Sequence, residues 1–177
     1  MPTPITYTYV NVKDALVVAL REALATEGYS DVRVLKADPR ENVEIPCIGI
    51  NRAGDDERNQ VLGDSFGTYK DEETGIWSQF KGTYFNETME IRIWHKNPDD
   101  RDKLYILTKA VLFNLRDTLG EQGLRNIALS GGRDEQENNY PPHPLYWSSI
   151  NMTYLNPLEV EVVVDTIDSV TETLDMY

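Results

Sequence analysis

The chain has 177 residues, 40% of them hydrophobic, one cysteine, and a net charge of −13 at neutral pH. That length and apolar content suit a single domain with a real core, and a lone Cys47 excludes an internal disulfide or a multi-cysteine metal site. No run approaches the ~18 apolar residues of a membrane helix, and the acidic balance argues against a basic face that would neutralise nucleic-acid phosphates.

The first residues, MPTPITYTYV, lack the charged and apolar regions of a secretory signal, so a reducing cytosol is the expected compartment. They read as an extended segment over 1–10. Asn11 is placed to cap a helix, with Asp14 in its first turn favouring the positive helix end. Leu16, Leu20, Ala23 and Leu24 follow at helical spacing and Gly28 stops the run. Val17, Val18 and Ala25 lie off that stripe, so this helix is apolar on more than one side. Val32–Leu35 and Ile45–Ile50 read as short strands, Pro46 marking an edge or an irregular start.

Residues 51–75 have no sustained period and are punctuated by Gly54, Gly63, Gly67 and Gly75, which predicts a long polar loop. Its acids Asp55, Asp56, Glu57, Asp71, Glu72 and Glu73 make it a candidate protrusion. From Ile76 the pattern is that of strands: Trp77, Phe80, Tyr84 and Phe85, then a polar break at Asn86-Glu87 that predicts a β-hairpin. In the second arm Met89, Ile91 and Ile93 share one face.

The stretch HKNPDDRDKL, 95–104, is the densest cluster of ionisable groups. Asn97 is a strong N-cap, Pro98 fits the first helical position, and Asp99 and Asp100 suit the first turn. Leu104, Leu107, Val111, Leu115 and Leu119 continue a helix that ends at Gly120 or Gly123. A second apolar row, Ile106, Ala110 and Phe113, exceeds the one stripe a surface helix needs and points to cover by another subunit. Val17 joins that row as a candidate oligomer interface. Further strands are expected at Ile127–Leu129, before a bend at Gly131-Gly132, and at Tyr146–Tyr154. Val160, Val162 and Val164 alternate with Glu159, Glu161 and Asp165 in a last strand with an acidic face. The order predicts an α+β fold, a mixed and mostly antiparallel sheet with two helices, forming one domain over 1–177 with an acidic extension at 156–177.

The charge is uneven. Residues 54–75 carry seven acids and two bases, residues 156–177 six acids and no base, and the rest is nearly neutral. Solvated surface is the plain reading of both.

Catalytic schemes fit poorly. A metal-dependent phosphodiesterase would use the carboxylates of PDDRDK with a lysine, but no Asp/Glu-x-Lys occurs in the chain, and Asp99, Asp100 and Asp102 diverge around one helical turn. His95 ends a strand and His143 sits between prolines. No HExxH, phosphate-binding glycine loop or GxSxG is present. Cys47 lies in an apolar strand without a basic neighbour. Gly131-Gly132-Arg133 reads as a turn rather than an anion site, and Glu72-Glu73 lacks calcium-loop spacing. No catalytic residue, metal ligand or cofactor is expected.

The succession DALVVALREALATEG, VEIPCIGINRAGDDERN, MEIRIWHKNPDDRDKLYILTKAVLFNLRDTL and LYWSSINMTYLNP resembles the tail-terminator, or tail-completion, proteins of tailed bacteriophages and the related neck proteins. The likeness spans about residues 11–156 and has no residue signature. It implies two helices on one face of a mixed sheet and a non-enzymatic subunit of a hexameric ring in the virion, assembled in the host cytoplasm. That ring would end the tail tube and join it to the head, with the polar loop reaching tail-tube or connector proteins. Inward-facing acids would then line a bore through which DNA passes without sticking. A neck stopper or adaptor, or a soluble acidic protein-binding adaptor outside a virion, are the alternatives.

Overall fold

The computed structural model describes residues 6–40, 44–58, 65–70, 72, 77–137 and 144–164. Among them the order is β1 (Thr6–Tyr9), α1 (Val12–Thr26), β2 (Arg33–Leu35), β3 (Cys47–Arg58), β4 (Ser65–Lys70), β5 (Trp77–His95), α2 (Pro98–Glu121), β6 (Arg125–Glu137) and β7 (Leu145–Val164). All seven strands join one sheet, in which only β2 and β3 pair in parallel. The fold is α+β with a mixed sheet, as the sequence predicts.

Its spine is the antiparallel pair β5–β7, in register from His95↔Tyr146 to Trp77↔Val164. Each outer edge of this pair is shared by two strands. On β7, β6 pairs with residues 145–155 and β1 with 158–161; on β5, β3 pairs with 84–94 and β4 with 77–81. The sheet therefore has a broad body and a four-stranded arm, β1-β7-β5-β4.

Both helices cover the same face of the body. Leu16, Leu20 and Leu24 of α1 and Leu104, Leu112 and Leu119 of α2 pack on Ile48, Ile50, Met89, Ile91, Ile93, Ile150, Met152 and Tyr154. The opposite face holds a smaller cluster of Ile45, Cys47, Trp94, Leu145 and Trp147. Asn11 caps α1 by accepting from the Asp14 amide at 3.3 Å. Both helices end alike: Tyr29 N–H reaches Leu24 O at 2.8 Å past Gly28, and Leu124 N–H reaches Leu119 O at 3.1 Å past Gly123. Gly28 and Gly123 have φ of +81° and +102°, a left-handed turn that glycine makes without steric cost.

Four expectations need correction. Residues 51–75 are not one long loop, since β3 runs to Arg58 and β4 occupies 65–70. Residues 53–57 are exposed, and a strand wetted on both faces leaves no alternation to read. The predicted hairpin at Asn86-Glu87 is instead the middle of one 19-residue strand. Gly131-Gly132 is a bulge inside β6 rather than a bend that ends it; a methyl group on Gly132 would meet Ser149 Oγ at 1.8 Å. Val17 is 4% exposed and belongs to the core, not to an interface. Pro46 marks an irregular start, because β3 lies between β2 and β5 and is no edge.

Candidate functional site

The 95–104 cluster is a helix start. Asn97 Oδ1 accepts from the Asp99 and Asp100 amides at 2.8 and 3.4 Å, and His95 Nδ1 accepts from the Asn97 amide at 2.9 Å. The carboxylates turn to different partners: Asp100 to Lys103 at 2.8 Å, Asp102 to Arg101 at 2.6 Å. The Lys103 hydrogen bond holds the Asp100 carboxyl below its ordinary range. Among the described residues no group of three or more His, Cys, Asp or Glu side chains gathers as a metal would need.

Cys47 is fully buried, and burial above all, with Glu44 and Asp38 adding to it, pushes its thiol up to about 12. A thiol held there is a core residue at neutral pH. Arg133 is exposed, and its amide donates to Ser149 Oγ at 3.2 Å within the β6 bulge. His143 lies outside the described residues.

The one buried acid among the described residues was not singled out by sequence reasoning as a site. Glu87, on β5, is 1% exposed on the helix-covered face. Tyr154 Oη of β7 donates to its Oε2 at 2.8 Å, Tyr9 Oη of β1 donates to its Oε1, and Asn156 Nδ2 approaches Oε1 at 3.3 Å. Asn156 Nδ2 also reaches Val10 O at 2.9 Å, tying down the chain just before α1. Arg52 of β3 donates to Tyr9 Oη at 2.6 Å and stands 3.7 Å from Glu87 Oε2. Four strands thus meet at one carboxylate. Burial, then the hydrogen bond to Glu87, pushes the Tyr9 phenol up to about 12, and Tyr154 is raised by the same causes. Burial pulls Arg52 down, but the charges of Glu87 and its neighbours leave it raised on balance. Both phenols are therefore hydrogen-bond donors at neutral pH, not bases. The strand parity that puts Phe85, Glu87, Met89, Ile91 and Ile93 on one face was the available signal.

The other outstanding surface is on α2. Ile106 and Phe113 are 68% and 61% exposed, with exposed Ala110 between them, all turned away from the sheet. The row read from sequence is therefore open. On the other side of α2 from this row, α1 and α2 border a shallow groove of about 530 Å³ lined by Ala15, Val18, Ala19, Leu115 and Thr118.

The acids expected on a loop are placed otherwise. Asp55, Asp56 and Glu57 stand exposed on the outer part of β3, and Glu72 is exposed in a turn; Asp71 and Glu73 lie outside the described residues. Glu159 and Glu161 share the face opposite the helices, as their alternation with Val160 predicts. Among the described residues no helix is long and apolar enough to cross a membrane. No protein-family model matches the chain, and no curated protein matches it.

Proposed function

We propose that the chain is a structural subunit that assembles with copies of itself into a ring, of the kind that ends the tail tube or forms the neck of a tailed bacteriophage. The observation that carries this reading is the outward row Ile106, Ala110 and Phe113, an apolar surface on the helix layer of an otherwise acidic chain. The order of elements adds support, because two helices on one face of a mixed sheet are what the resemblance implies. In this reading the subunit does no chemistry; its partners are its own copies, the tail tube and connector proteins. The acids of outer β3 and β7 form bands around a bore that repels DNA phosphates.

Size-exclusion chromatography with light scattering, alone and with tail tubes, tests it. A closed oligomer is expected, weakened at least tenfold in concentration dependence by Phe113→Asp with Ile106→Asp. A chain that stays monomeric with tubes present, or a doubly substituted chain that assembles unchanged, overturns the reading.

A further inference from the structure

Of the four large hydrophobic side chains that stand most exposed among the described residues, three lie on the helix layer: Ile106 and Phe113 of α2, and Val18 of α1 at 55%. They mark two surfaces of opposite shape. The row Ile106–Ala110–Phe113 is a ridge two turns long, about 11 Å. Val18 stands at the rim of the groove of about 530 Å³ between the helices, which a further hollow of about 340 Å³ extends past Ala23. The α1 wall of this groove is Ala15, Ala19 and Ala23, spaced one turn apart over about 12 Å. The lengths match, and seating a ridge of one helix in a groove of others is how helices pack.

The charges match as well. From Lys103 to Arg116, α2 holds three bases and no acid, within a chain of net charge −13. At 100° per residue, Lys109 and Arg116 flank the ridge, within about 60° of Phe113. The Arg116 guanidinium lies 5.2 Å from the centre of the Phe113 ring. The described residues lining the groove include two acids, Asp14 and Glu22, and no base. Asp14 is paired with Lys36, which leaves the exposed Glu22 to meet a cation from outside.

A molecule cannot fill its own groove with this ridge. The ridge is centred about 140° round α2 from Leu115 and Thr118, which form the groove's other wall, so α2 would have to occupy a hollow that it lines. We infer that the Ile106–Ala110–Phe113 ridge of one copy seats in the α1–α2 groove of a second copy, Lys109 and Arg116 toward its Glu22. The inference rests on the assembly reading and gives that contact two unlike surfaces. Ridge into groove leaves an open groove on the first copy and an open ridge on the second. Copies then add head to tail and close into a ring where the rotation per copy allows it.

Cross-linking in the full chain tests it. Ala110→Cys on the ridge and Ala19→Cys in the groove are made separately, the buried Cys47 remaining in both, and the two are mixed under mild oxidation. A disulfide joining positions 110 and 19 is expected, at least tenfold above the yield of Ala110→Cys with Ala128→Cys, an exposed position on the sheet face away from the helices. Lys109→Glu with Arg116→Glu lowers that yield several-fold, and Glu22→Lys on the other copy restores part of it. A yield equal to the control overturns the inference, as does Ala110→Cys alone linking ridge to ridge in equal yield. Rings that form without the link sink the docking and leave the ring reading standing. Linked assemblies that light scattering finds as pairs or open chains support the docking and sink the ring reading.

Discussion

Replacing Glu87 with leucine removes the one acceptor that Tyr154 Oη has among the described residues, a phenol whose residue is 1% exposed. An orphaned buried donor costs about 1–3 kcal/mol. The remaining partners lose less. Asn156 Nδ2 keeps Val10 O, the partly exposed Tyr9 keeps the hydrogen bond it accepts from Arg52 and turns its own proton to water, and the Arg52 side chain, 46% exposed, keeps Asp55 and water, so its attraction to Glu87 is heavily screened. We expect Glu87→Leu to cost about 3 kcal/mol, and Tyr154→Phe alone about 2 because the carboxylate retains Tyr9 and Asn156. Additive behaviour would put the double variant near 5 kcal/mol, whereas removing both partners leaves no fully buried orphan and should cost about 3. The coupling is then about 2 kcal/mol. Urea unfolding of the four proteins measures it, and for a chain of 177 residues the Glu87→Leu change corresponds to a Tm drop of roughly 6–12 °C. Additivity to within about 0.5 kcal/mol would refute the idea that this carboxylate is a shared acceptor.

The same site predicts a pH dependence. Tyr9 titrates near 12 folded against 10 unfolded, and Tyr154 is also raised, so the folded state holds protons that the unfolded chain releases. Their stabilisation is whole below pH 10 and drains as the pH climbs toward 12; urea midpoints should fall over that window, and Tyr154→Phe should flatten the slope. Cys47 should resist thiol reagents in the native protein at pH 8 and yield one equivalent after denaturation, while prompt native labelling would contradict its burial. Asn97→Ala should cost about 1 kcal/mol through the lost cap, read by chemical denaturation. Gly49→Val should cost about 1–3 kcal/mol, because a Cβ there would sit 2.9 Å from Ala37 O, and wild-type stability would refute that close approach.

Local chemistry made the helices legible and non-local pairing hid the rest. Asn11 and Asn97 cap where their side-chain chemistry predicts, and Gly28 and Gly123 end the helices by positive φ. The stripe on α2 was read slightly rotated. Leu104 and Leu119 are buried, but Leu112 and Thr108 take the centre of the contact while Val111 and Leu115 lie at its margin, facing α1, and Leu107 is only partly buried. A single helix cannot announce which side its neighbour fills. Outer β3 carries Asp55, Asp56 and Glu57 with no apolar alternation, and its strand form comes from pairing with residues 84–88, about thirty positions away. Glu87 passed for a turn residue because its partners come from Tyr9, Arg52, Tyr154 and Asn156, which only the folded sheet brings together.

Glu87 also stands where the sheet changes character. Inward of it, strand residues Met89, Ile91, Met152 and Tyr154 are sealed under the helices. Outward, β7 continues to Val164, and from Pro157 to Glu161 none of its residues is fully buried. The arm is nevertheless two-sided. Register places Tyr7 and Val160 in one row on the helix side, with Leu158 in the next, and sets Thr8 beside Glu159 and Thr6 beside Glu161 on the other face. Tyr7 is 67% exposed, while Leu158 and Val160 are half-buried. The described side chains of the arm are at most partly buried, which sets little apolar burial against the entropy of ordering its strands, and the carboxylate at the root secures only the residues that touch it. In the proposed ring a neighbour covers the Tyr7–Leu158–Val160 side and leaves Glu159 and Glu161 toward water. The arm should accordingly exchange its amide hydrogens faster than the body in the isolated subunit and slow on assembly, whereas equal protection in both states would mean that the arm needs no neighbour.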